Sequence, residues 1–153
     1  MPTREKIIIE ISTQKEDFHA ADFSHFMYLF RAMYVAALDQ IFSASYVSSS
    51  EINSGEIDLI VARIESKYKH GISRPDLANL ALKELPPEHD LDIADIHRRN
   101  PIDITFVAVP LAIFVVAVIA TGAWTLSGGN LKFPGLETSI KNIRKKLNLP
   151  VRR

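Results

Sequence analysis

From Ile104 to Leu126 the chain runs for 23 residues without a charged side chain. No other feature constrains the fold as much. A membrane-spanning helix needs about 20 apolar residues, within a range of about 17–25. Trp124 stands near one end of the run, where an interfacial aromatic belongs, and basic residues follow it. On this reading Pro110, Phe114, Val115, Val116, Ile119 and Trp124 are membrane-embedded. Pro110 divides the run, because proline ends a strand and opens a helix. The helix that remains, Pro110 to Leu126, has 17 residues and a length of about 25 Å. That is marginal for spanning, so insertion and self-association are expected together. The alternative is a buried strand and a buried helix in a soluble α+β domain. A helix that is apolar all round then needs cover on every side, from its own sheet or from a partner subunit.

Charge divides at the same place. Residues 1–100 hold 11 Lys/Arg and 16 Asp/Glu, and residues 101–153 hold 7 and 2. The acidic part is a poor match for nucleic acid. The basic residues of the second part all follow the apolar run, as in a cytoplasmic juxtamembrane tail. Lys141, Arg144, Lys145 and Lys146 are candidates for contact with lipid headgroups or a partner, at about 1 kcal/mol per cation near an anionic surface. The chain has no cysteine, which removes disulfides and thiolate metal sites. The start, Met1 to Ser12, lacks the apolar stretch and cleavage site of a secretory signal. One span cannot leave both this start and the basic tail in the cytoplasm; a tail-out anchor, an N-out anchor or a helix inserted partway by an oligomer resolves the conflict. The expected location is a membrane, with residues 1–101 on the cytoplasmic side.

Local patterns outline an α+β fold. Lys6 to Ser12 is a β-branched run and reads as a strand. Phe23 to Phe42 repeats apolar residues at helical spacing, with Asp22 as its N-cap. Its stripe Phe23, Phe26, Phe30 and Tyr34 is either core or a face for a partner. Glu56 to His70 fits a helix through Ile57, Ile60, Val61 and Ile64 or a strand through Ile57, Leu59 and Val61. Ser54 before it and Gly71 after it favour the helix, and Ser73 caps a second helix that opens on Arg74-Pro75. Leu91 to Val109 reads as a β-hairpin turning at Arg98 to Pro101. Thr138 or Ser139 starts a last amphipathic helix over Glu137 to Leu147.

Candidate chemistry is sparse. Glu88, His89, Asp90, Asp92, Asp95 and His97 fall within ten residues, but at no established metal-site spacing. A solvated edge and turn is the simpler reading. His19 and His25, six apart, do not share a helix face. Ser43 to Ser50 has no nucleophile elbow, and Gly128-Gly129 has no phosphate-loop pattern. His70 to Ala81 faintly resembles a helix-turn-helix, with acidic surroundings and little to read bases. The ending of the chain is similar to that of small bacterial membrane-associated proteins, a likeness that carries no motif and no activity.

The expected organisation is an acidic α+β domain over residues 1–101, a strand plus membrane-embedded helix over 102–131, and a basic helix over 132–153. The expected function is non-enzymatic, without cofactor or metal. The protein anchors in membrane lipid and acts through homo-oligomerisation or contact with a protein partner, as a sensor or membrane-disturbing effector. The alternative is a soluble interaction module whose apolar helix is buried by its own sheet or by a partner.

Overall fold

The computed structural model describes residues 3–12, 19–43, 54–98, 102–122, 126–127 and 130–149. In chain order the elements are β1 (Glu5–Ile11), α1 (Ala20–Ser43), α2 (Ser54–Lys67), α3 (Arg74–Ala81), β2 (Asp92–Arg98), β3 (Ile102–Ala108), α4 (Pro110–Thr121), β4 (Leu126–Ser127), β5 (Asn130–Phe133) and α5 (Leu136–Lys146). The fold is α+β. One mixed sheet has the order β2-β3-β1-β5-β4, with β1 antiparallel to β3 and parallel to β5. The sheet therefore closes only when β5, which follows α4, returns beside the first strand.

Strand alternation sorts the sheet into two faces. Ile7, Ile9 and Ile11 of β1, Ile102, Ile104, Phe106 and Ala108 of β3, and Leu131 and Phe133 of β5 are buried under the helices. Lys6, Ile8, Glu10, Asp103, Thr105 and Val107 point the other way and are half-buried or exposed. On the covered face Phe30 of α1 stacks on Phe106 at 4.9 Å between ring centroids, and Phe26 meets Phe133 edge-on at 6.3 Å. Such pairs add about 0.5–1.5 kcal/mol beyond burial.

The expectation of a membrane-spanning helix is corrected by this fold. The apolar run is a strand followed by a helix, and the helix ends at Thr121. Gly122 takes a left-handed conformation (φ 80°) and returns its N–H to Val118 O at 2.8 Å, which glycine does at no steric cost. At 12 residues, α4 is about 18 Å long, against a bilayer core of about 30 Å. Among the described residues no helix is long and apolar enough to cross a membrane. Val115, Val116 and Ile119 are buried against protein, while Pro110 and Phe114 are half-buried. The cover comes from α1, α2, α5 and β5. Each such buried aliphatic side chain contributes roughly 1.5–3 kcal/mol. Asn142 of α5 donates from Nδ2 to Ala120 O at 2.6 Å, giving one of the last carbonyls of α4 a partner from its own chain. Trp124 lies outside the described residues, as do Gly128-Gly129, Arg152 and Arg153.

The central helix α1 departs from simple amphipathicity. Every residue from Ala32 to Leu38 is buried, because the sheet lies on one side and α3, α4 and α5 on the others. Phe26, Phe30 and Tyr34 are fully buried and Phe23 is partly so. This corrects the assignment of Phe26, Phe30 and Tyr34 as a partner face, since their side chains are fully buried, while Phe23 keeps part of its surface. One hydrophobic cluster runs from Ile7 to Leu147 and takes residues from all three stretches of the expected division.

Candidate interaction surface at the edge strand

The sheet's outermost long strand is β2, and every residue from Asp92 to His97 is exposed. Ile93 and Ile96 are 46% and 44% exposed. These are large values for isoleucine in a strand. They have one cause. Ile93 pairs with Phe106 and Ile96 with Ile104, so both point to the helical side, where the helices stop short of the edge.

A bulge sets this phase. The register slips between Ile93 and Asp95, which face the consecutive residues Phe106 and Thr105 of β3. Ala94 is the extra residue. In a regular strand positions 93 and 96 would lie on opposite faces; the bulge brings them to one. Asp92, Asp95 and His97 fall on the other face, opposite Val107, Thr105 and Asp103.

The entry to β2 is pinned by the polar flank of α1. Arg31 donates to Ala81 O (2.6 Å), Lys83 O (2.7 Å) and Asp90 Oδ1 (3.0 Å). It thereby caps the end of α3 and holds the turn before the strand. Asp90 Oδ1 also accepts Leu91 N–H at 2.7 Å. Tyr34 donates its hydroxyl to His89 O at 2.6 Å and accepts Val109 N–H at 3.0 Å. Burial, offset in part by the Val109 hydrogen bond, pushes the Tyr34 phenol up to about 12, so it remains a donor at neutral pH. Pro86 O accepts His89 N–H and Asp90 N–H at 2.9 and 3.1 Å. The Phe42 ring lies 4.7 Å from that of His89. The result is a held strand, whose ordering cost is met before any partner arrives.

The clustered acids and histidines of this region are spread over separate partners. Asp90 pairs with Arg31, Asp92 with Arg4, and Asp95 with His97 at 2.7 Å. Among the described residues no three such side chains converge as metal ligands would. Asp103 sits between His97 and Glu10 across the sheet, and its Oδ1 is buried without a hydrogen bond. His25 Nε2 lies 3.3 Å from an Arg144 nitrogen. Among the cations of α5, Lys146 pairs with Glu65 and Arg144 is half-buried, while Lys141 and Lys145 are exposed one turn apart.

An open groove of about 730 Å³ lies where α1, α2 and α3 meet, beside Asp39, Lys67, Tyr68, Asp76 and Lys83. Lys83 reaches Asp39 at 3.2 Å, and burial raises the Tyr68 phenol. The Ser73 hydroxyl accepts Asp76 N–H and caps α3 as its sequence indicates.

Arg31 and the Tyr34 hydroxyl escape a reading by hydropathy. The available signal is a lone cation on the flank of a long apolar helix, which needs an acceptor somewhere. Those acceptors stand 50 to 59 residues away. No family model, curated protein or solved structure matches this chain.

Proposed function

We propose that this chain is a soluble, non-catalytic interaction module that covers its apolar helix itself and meets its partner through β2. The observation that carries this reading is the enclosure of α4, whose Val115, Val116 and Ile119 are at most 3% exposed. A helix so covered leaves little apolar surface for lipid, confined to the half-buried Pro110, Leu111, Phe114 and Val118. Among the described residues Phe42, Leu59 and Leu82 are exposed singly on α1, on α2 and after α3, whereas Ile93 and Ile96 share one face of a pinned edge strand. An edge with unpaired backbone groups is a template for strand addition.

Headgroup contact through α5 is the weaker reading. Lys141 and Lys145 would supply about 1 kcal/mol each, and Lys146 is already paired with Glu65. About 2 kcal/mol does not hold a protein on a membrane.

Extraction without detergent tests the proposal. The expected result is a folded protein in the aqueous fraction that does not sediment with anionic vesicles at physiological salt. Recovery only from the membrane pellet, with release only by detergent, would overturn it.

A further inference from the structure

We propose that the partner at β2 is a second copy of this chain, paired antiparallel so that Ile93 faces Ile96 of the second copy and Asp92 faces its His97. The proposal rests on the reading of β2 as the contact strand.

The sequence of the edge selects this arrangement. In a two-fold antiparallel pair, residues directly opposite one another share a face. Ile93 and Ile96 share the helical side, and Asp92 and His97 share the open side. A two-fold axis between Ala94 and Asp95 therefore matches both faces at once. Four isoleucine side chains gather on the helical side, beyond the reach of either copy's helices. On the open side each histidine comes to lie between its own Asp95 and Asp92 of the other copy.

Neighbouring registers fail. An axis through Asp95 sets two carboxylates against each other and puts Ile93 against His97, which points to the opposite face. An axis through Ala94 opposes Ile93 to Asp95 and Asp92 to Ile96, with both pairs on mismatched faces. An axis through Ile96 matches faces but joins one isoleucine pair and leaves Ile93 outside it. A bulge ordinarily blunts an edge against pairing. Here the bulge at Ala94 phases the isoleucines, so that one register is favoured and the rest are not.

The backbone of six or seven residues and four isoleucines make a small interface, so association is expected to be weak and concentration-dependent. The absence of native cysteine allows a direct test of register. Full-length Ile93→Cys and Ile96→Cys variants are oxidised separately and as a mixture. Opposed strand positions lie within disulfide reach, whereas position 93 of one copy stands about 10 Å along the strand from position 93 of the other. The mixture should form the mixed disulfide at least tenfold faster than either variant forms its own dimer. Ile93→Lys should abolish the concentration-dependent rise in sedimentation coefficient, with its circular dichroism spectrum unchanged.

Equal cross-linking in all three samples, or a monomer at every concentration, would overturn the proposal. If the monomer remains folded and aqueous, self-pairing alone falls and the interaction module stands. A chain that folds only with lipid removes both.

Discussion

Helix α4 and strand β2 have exchanged the roles their compositions suggest. The first is the most apolar segment of the chain, and it is enclosed by α1, α2, α5 and β5. The second alternates isoleucine with aspartate and histidine, and it leaves both isoleucines nearly half exposed. The difference shows that apolarity measures how much a segment gains from leaving water, and not what covers it. Contact surfaces arise where cover runs out. In this fold the proposed contact surface is the margin of the sheet, one strand beyond the helical layer.

The largest effect is expected inside α4. Val116→Asp places an unpaired charge in a fully buried position, at a cost of about 4 kcal/mol or more. Because the core is continuous from Ile7 to Leu147, the whole chain should lose its cooperative urea transition, including residues 5–98. A variant in which that part stays folded would return α4 to the status of a detachable element.

Between the two regions stands Tyr34, whose hydroxyl ties the entry of β2 to the start of α4. Tyr34→Phe leaves His89 O and Val109 N–H without their partner and should cost about 1–3 kcal/mol in denaturant titrations. The phenol also gives the fold an alkaline edge. Its ionisation is raised on folding to about 12 from 10.0. Its contribution is therefore complete below pH 10 and is lost as pH rises from 10 towards 12. Stability measured across that window should converge between the native protein and the Phe variant. A gap that stays constant would show that Tyr34 ionises as freely in the fold as outside it.

The smallest effect on the monomer is expected at the edge. Ile93→Thr and Ile96→Thr keep a β-branched side chain at exposed positions and should change unfolding free energy by no more than about 0.5 kcal/mol. A loss of 2 kcal/mol in dilute solution would mean that the isoleucines serve the monomer's core, and the contrast with α4 would dissolve.

Much of the element order is legible in the residues. The β-branched run of β1, the helical spacing in α1, the Ser73 cap, the hairpin arms of β2 and β3, and Pro110 as the opening of α4 are all local signals. They depend on side chains a few positions apart. What was not legible is long-range. Ile9 pairs with Leu131 across the whole chain, and that parallel pairing brings β5 and α5 around to cover α4. Without it an uncharged run beside a basic tail reads as a membrane anchor. The site was less legible than the fold. The clustered acids and histidines read as a solvated edge and turn, and their side chains do go to separate partners. The exposure of Ile93 and Ile96 depends on one bulge residue and on where the helical layer stops.

The enclosure of α4 is the central claim, and amide hydrogen exchange in detergent-free, lipid-free buffer tests it most directly. The amides of Leu111 to Thr121 that bond within the helix should be among the slowest in the protein, exchanging only through global unfolding and unchanged by added vesicles. Rapid exchange of this helix in water, with protection appearing only when lipid is supplied, would contradict the account.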